Sequence, residues 1–312
     1  MKYKKVLIFI EDGSFSYDNR VKRIANSLYE SGYRITIISP GTKGDSFYKK
    51  YKSGLRAVFY PKINAESAFM HIIEHLITLF FGFFLSLGVK LRFGFNIFYA
   101  CNPTDILWLI ALPYKLLSTK FVFDQHDLSP EVYLSRQGTS KNDHFYKLLL
   151  WLEKMSYKLA DKVIVTNESY KQVALERGNK NETDVIPVRN GPVLEKFSNI
   201  PNKPNPHHKK ANEILVGYLG NMNSQDGVDQ LLYAANDIVK NKKEQQIRFV
   251  FIGGGSYQPN LVKLAFEMEL DNYVTFTGRI PDDEMLNILG ETDICVQPDP
   301  YNPLNDVSTM NK

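Results

Sequence analysis

Three ionisable side chains fall within four positions at Asp124, His126 and Asp127, in the stretch FDQHDLSPEVY from Phe123 to Tyr133. The run before them, Lys120 to Phe123, reads as a buried strand. An imidazole just after a parallel strand stands where such sheets bind ligands, and a carboxylate beside it can orient the ring. That set can hydrogen-bond a substrate hydroxyl or exchange a proton with it. A plainer reading has both ring nitrogens of His126 satisfied by loop backbone. Glu131, just after Pro130, suits a supporting role as a helix cap.

Other chemistries have weaker footing. GYLGNMN and IGGGS both end strand-like runs, but neither is a full GxGxxG or a GxxxxGK[ST] loop. A dehydrogenase or a P-loop ATPase is therefore poorly supported, and Gly254 and Gly255 read as permitting tight strand-to-helix turns. Cys101 and Cys295 sit in apolar runs and read as buried thiols of a reducing compartment. No CxxC or HExxH is present, and His207 and His208 lack partners at ligand spacing, so no metal is expected. A net charge of +4 gives no argument for nucleic acid.

Elements that could position these residues alternate along the chain. Strands are expected at Val6–Ile10, Arg34–Ser39, Leu55–Tyr60, Ile97–Ala100, Phe121–Phe123 and Val163–Thr166. Helices are expected over Asn19–Ser31, with Asp18 as N-cap and Gly32 as stop, and over Thr104–Ser118 and Asp143–Ala160. The alternation restarts after residue 212 and implies α/β domains with mostly parallel sheets. The boundaries are an N-terminal domain over 1–198, a Pro- and Asn-rich linker over 199–212, and a second domain over 213–312. The start, MKYKKVLIFIEDG, has too short an apolar run for a signal peptide, so the chain reads as cytoplasmic.

The run Leu76–Val89 has fourteen uncharged residues followed by Lys90 and Arg92. It is shorter than the roughly 20 residues of a spanning helix. A buried core helix and an interfacial helix on an anionic membrane face both fit it.

RVKRIANSLYESGYRITII, FDQHDLSPEVY, VRNGP, GYLGNMNSQDGVDQLL, FIGGGS, VTFTGRIP and DICVQPDPYNPLNDVSTMNK occur in this order. The ordered set resembles family-4 glycosyltransferases of the GT-B fold, most of all the bacterial branch that builds surface polysaccharides. The resemblance implies two Rossmann-like domains and a retaining transferase. The donor would be a nucleotide-diphosphate sugar, and the acceptor a hydroxyl on a lipid-linked glycan at the inner membrane face. It requires no cofactor. It places His126 beside the donor sugar, with Asp127 as the other catalytic candidate. Arg20, Asn190 and Gly191 fall on the acceptor side of the cleft. Gly220, Asn221, Asp226, Gly253, Arg279, Asn305, Ser308, Thr309 and Lys312 fall on the donor side.

This sequence departs from the family pattern in two places. The segment GNMNSQDGVD lacks the usual Arg and Lys, so Arg279, Lys312 and backbone N–H groups near Ser308 and Thr309 must neutralise the diphosphate. Ser308 or Thr309 is expected to cap a helix, but the family's ribose-binding Glu and later strand–helix units would lie beyond Lys312. The expectation is a partial second domain, little or no activity, and apolar surface left on Leu215–Leu219, Phe249–Ile252 and Ile294–Val296. Two alternatives remain: a non-catalytic remnant that binds acceptor or membrane, and a GT-B sugar-nucleotide epimerase.

Overall fold

The computed structural model describes residues 4–42, 44–61, 68–135, 138–191, 209–210 and 212–309. The chain forms two compact units, Met1–Asn190 with Val307–Thr309, and Gly191–Asp306 with Met310–Lys312.

The first unit is built on strands β1 (Lys5–Ile10), β2 (Arg34–Gly41), β3 (Tyr48–Lys52), β4 (Leu55–Pro61), β5 (Ile97–Cys101), β6 (Lys120–Gln125), β7 (Lys162–Val165) and β8 (Val185–Pro187). They form one sheet in the order β3-β4-β2-β1-β5-β6-β7-β8, parallel except for the exposed edge strand β3. Period-two alternation sends β1 to both faces. Leu7 and Phe9 pack with Ile110 and Tyr114, while Val6, Ile8 and Ile10 pack with Val21 and Ala25.

Six helices cover this sheet: α1 (Asn19–Glu30), α2 (Ala68–Arg92), α3 (Trp108–Leu116), α4 (Ser129–Leu134), α5 (His144–Leu159) and α6 (Glu168–Gly178). Asp18 caps α1 by accepting from Val21 N at 2.9 Å, and Gly32 follows the helix at φ 85°. Helix α3 begins at Trp108, later than expected. The fourteen-residue apolar run lies inside a helix of 25 residues, longer than expected. Its buried side includes Val89, while Leu76, Phe80 and Phe84 are more than half exposed.

In the second unit, β9 (Ile214–Leu219), α7 (Val228–Asn236), β10 (Ile247–Ile252), α8 (Gln258–Glu267), β11 (Val274–Gly278), α9 (Asp282–Glu291) and β12 (Ile294–Cys295) alternate. The sheet order is β11-β10-β9-β12, all parallel. Two expectations are corrected. Leu215, Val216, Tyr218 and Phe249 to Ile252 are buried, because α7 and α8 cover one face and α9 the other. Of the strands expected to be bare, only β12 is exposed, and with it Cys295, because this two-residue strand is the sheet edge.

Candidate functional site

The first unit gathers polar residues at the carboxyl ends of β1, β5 and β6. Asp124, fully buried near the end of β6, accepts three hydrogen bonds. Arg20 Nη2 donates at 2.7 Å, Tyr99 Oη at 2.8 Å and His126 Nε2 at 2.9 Å. Burial alone would raise the Asp124 carboxyl, but the His126 imidazole and the Arg20 guanidinium outweigh it and hold the pKa low. Among the described residues His126 Nδ1 has no hydrogen-bond partner, so one ring nitrogen is anchored and the other is left for a ligand.

Asn102, just past β5, fixes the loop. Its Oδ1 accepts from the main-chain N–H of His126 at 2.5 Å and of Asp127 at 3.1 Å. Its Nδ2 donates to Asp127 O at 2.7 Å and to Asp105 Oδ1 at 3.1 Å. Asp127 has an open outer face. The loop packed beneath it raises its pKa, His126 opposes the rise and Asp12 adds to it. Burial pushes Asp105, beneath the loop, up to about 6.

Two networks brace this end. Glu11, after β1, accepts from His75 Nδ1 at 2.8 Å and from Thr104 N at 3.2 Å. That contact holds His75 above the usual imidazole range against the pull of burial. Glu131 is not a cap: it pairs with Arg177, which also meets Glu153 at 3.0 Å. Glu153 donates no further charge outward; its Oε1 accepts from Gln125 Nε2 at 3.1 Å. Burial and the Asp105 carboxylate raise Glu153 to about 8 despite Arg177.

Cys101, Asp124 and His126 offer ligand atoms within 4.8 Å of one another. That set suits a metal poorly. The Arg20 guanidinium already neutralises Asp124, and burial and Asp124 push the Cys101 thiol well up. Of the remaining candidates here, Asn190 accepts from Arg23 and Gly191 is exposed.

In the second unit, Gly220, Gly253 and Arg279 meet at the carboxyl ends of β9, β10 and β11. The loops are joined main chain to main chain: Gly220 N to Ile252 O at 3.0 Å, Met222 N to Gly254 O at 3.1 Å and Gly253 N to Gly278 O at 3.0 Å. A Cβ on Gly253 would lie 2.0 Å from Gly220 O, and one on Gly255 2.2 Å from Met222 O. Gly255 is therefore required by close packing and not by turn geometry alone, whereas Gly254 has room. Arg279 is exposed beside Gly254 and has no carboxylate partner among the described residues. Asn221 is exposed, while Asp226 accepts from Asn223 N at 2.8 Å in a reciprocal cap.

The other candidates are engaged elsewhere. Asn305 Nδ2 closes its own loop on Pro300 O at 2.8 Å. Ser308 Oγ lies 3.2 Å from Tyr170 Oη, and Thr309 Oγ1 accepts from Asn167 Nδ2 at 3.0 Å. No helix begins at either residue among the described residues, and Lys312 lies outside them. Sequence reasoning missed Asn102, Tyr99 and Arg177, whose partners are remote in sequence. It did not pair Arg20 with Asp124, 104 positions away.

Residues 18–191 match the family model described as Glycosyltransferase Family 4, more than half of the 312 residues. Residues 199–304 match that described as Glycosyl transferases group 1. An uncharacterised glycosyltransferase of Methanocaldococcus jannaschii is 27% identical over 61% of this chain and 47% of its own length. A probable glycosyltransferase of Pseudomonas aeruginosa, WbjE, is 25% identical over 79% of this chain and 61% of its own. The chain thus spans about half to three-fifths of these curated relatives. Sucrose-phosphate synthase of Thermosynechococcus elongatus shares the fold, with a TM-score of 0.68 at 18% identity over 96% of this chain and 76% of that one. WaaG, a glycosyltransferase involved in lipopolysaccharide biosynthesis, superposes with a TM-score of 0.65 at 11% identity over 96% and 76%.

Proposed function

The chain belongs to glycosyltransferase family 4, and on that premise we propose that it moves a sugar from a nucleotide-diphosphate donor, with retention, to a hydroxyl of a lipid-linked glycan in surface-polysaccharide synthesis. The observation that carries this reading is His126, with Nε2 anchored on Asp124 and Nδ1 left for a sugar hydroxyl. In the reaction the bond from the anomeric carbon to the diphosphate breaks, and its electron pair leaves on the diphosphate. The acceptor oxygen forms the new bond and gives up its proton. His126 and Asp127 are the groups assigned to hold the sugar, with Arg20 and Asn102 as positioning residues acting through Asp124 and the loop.

Arg279 and the main-chain N–H groups around Gly220 and Gly253 are assigned to the diphosphate, where developing charge needs a fixed counter-field. No metal or cofactor is required. The names of WbjE and WaaG support the surface-polysaccharide assignment. The test incubates the purified chain with a panel of nucleotide-diphosphate sugars and a lipid-linked acceptor, with and without chelator. A product with the donor's anomeric configuration and chelator-independent turnover are expected. Inversion, or a requirement for a divalent cation, refutes the corresponding part of the proposal.

A further inference from the structure

At the amino ends of β1, β2 and β4, opposite the end that carries His126, the first unit holds a pocket of about 190 Å³. Lys5, Arg34, Arg56 and Arg92 line it with Thr36 and Phe93, and no acidic side chain is among the described residues lining it. The Phe93 ring holds two of the guanidiniums, Arg56 at 4.1 Å and Arg92 at 5.5 Å from its centroid. Lys5 Nζ donates to Phe93 O at 2.5 Å. Gathered cations repel one another, and an anion between them removes that cost. The space is below the roughly 300 Å³ at which pockets for drug-sized ligands begin, so it suits a small anionic group.

Arg92, in the pocket wall, is also the last residue of α2. That helix turns an apolar face outward. Ile72, Leu76, Phe80, Phe83, Phe84, Leu87 and Leu91 are 37–80% exposed. At 3.6 residues per turn they fall within roughly a third of the circumference. Leu116 and Leu117, 79% and 72% exposed, lie nearby, since Lys90 Nζ donates to Thr119 Oγ1 at 3.0 Å. The stretch Ile72–Arg92 has the length and apolarity to cross a bilayer. It cannot be ringed by lipid, however. Val89, Ser86 and Thr78 are buried, and a Cβ on Gly82 would meet Ile110 and Phe9 side chains at 2.5 and 2.7 Å. One side of α2 is committed to the sheet, which leaves the other to lie in the plane of an interface.

We propose that this end of the first unit docks on an anionic phospholipid bilayer, with the outer face of α2 in the headgroup–acyl boundary and the phosphodiester of one anionic lipid in the Lys5–Arg34–Arg56–Arg92 pocket. The apolar stripe supplies affinity for any bilayer, and the pocket supplies the preference for negative charge. This goes beyond the transfer reaction and does not rest on it.

The test uses the full chain and sedimentation with vesicles of phosphatidylcholine alone or with phosphatidylglycerol. Binding to the anionic vesicles is expected. R56Q/R92Q should weaken it by roughly thirtyfold, the loss of two cations at the surface, while leaving binding to neutral vesicles unchanged. L87Q/L91Q, at exposed positions, should lose both. Inorganic phosphate should raise the Tm of the wild type but not of R56Q/R92Q. Equal binding to both vesicle types, or a preference unaltered in R56Q/R92Q, overturns the headgroup site. Phosphate stabilisation without vesicle binding overturns the membrane assignment, and so does a dimer that L87Q/L91Q dissociates.

Discussion

Asp124→Asn removes one charge from the centre of the polar cluster and leaves its shape. The carboxylate is 0% exposed and its partner Arg20 only 12%, so solvent does little to screen either. Removing one member of a buried ion pair costs about 3–5 kcal/mol, chiefly because the other charge is left without compensation. Asn keeps an oxygen for Tyr99 but offers Arg20 and His126 no charge. For a unit of this size that loss lowers Tm by roughly 6–20 °C. The pH dependence is a second readout. Because the folded pKa of Asp124 is depressed, its contribution is complete above the unfolded value of about 3.9 and is lost as pH falls through the folded one. D124N should therefore lack part of the acid-induced loss seen in the wild type. Urea unfolding followed by circular dichroism between pH 3 and 7 measures both effects. R20Q/D124N should be less destabilised than the sum of its single variants, because it leaves no uncompensated charge. A D124N protein within about 0.5 kcal/mol of wild type at pH 7 would show that Asp124 does not organise the cluster.

His126→Ala should reduce sugar transfer by 10²-fold or more while shifting Tm by little, the scale of one positioned polar group; near-normal turnover returns His126 to a structural role. Gly255→Ala places a Cβ against Met222 O and should cost about 1–3 kcal/mol, as overpacking does, while Gly254→Ala, whose nearest neighbour would be 3.5 Å away, should be nearly silent in the same unfolding assay. His75 has a raised folded pKa, so its bond to Glu11 stabilises fully below about 6.5 and fades as pH rises through the folded value. The stability difference between wild type and H75Q should shrink over that window, and a difference constant from pH 6 to 9 refutes the assignment.

Local signals carried most of the secondary structure. Asp18 and Gly32 bracket α1 because capping and a positive φ are properties of single residues and their neighbours. Asp124 and His126 are two positions apart, so their proximity was legible. Nothing in the sequence points from Asn102 to residues 126 and 127, or from Arg177 to Glu131 and Glu153, because sheet topology alone brings them together. The exposure of α2 was equally hidden, since an apolar run is written alike for a core and for an interface. Cys295 was misread for the related reason that an edge strand and an inner strand share the same residue types. The burial of Leu215 and Phe249 reflects cover by α7, α8 and α9, which the sequence contained but whose packing it did not state.

The contact of Gly253 with the main chain of Gly220, and of Gly255 with that of Met222, sorts this surface into two mutational regimes. At Gly253 and Gly255 almost every nonsynonymous change adds a Cβ that collides with a peptide oxygen, so these positions are closed to gradual exploration. Asn221, Ser256 and Arg279 stand on the same surface with side chains outward, and changes there leave the floor undisturbed. A lineage could thus acquire new ligand preferences by drifting at the rim while the floor is inherited unchanged. In a saturation library of these six codons, the functional survivors should be diverse at the three rim positions and nearly monomorphic at Gly220, Gly253 and Gly255.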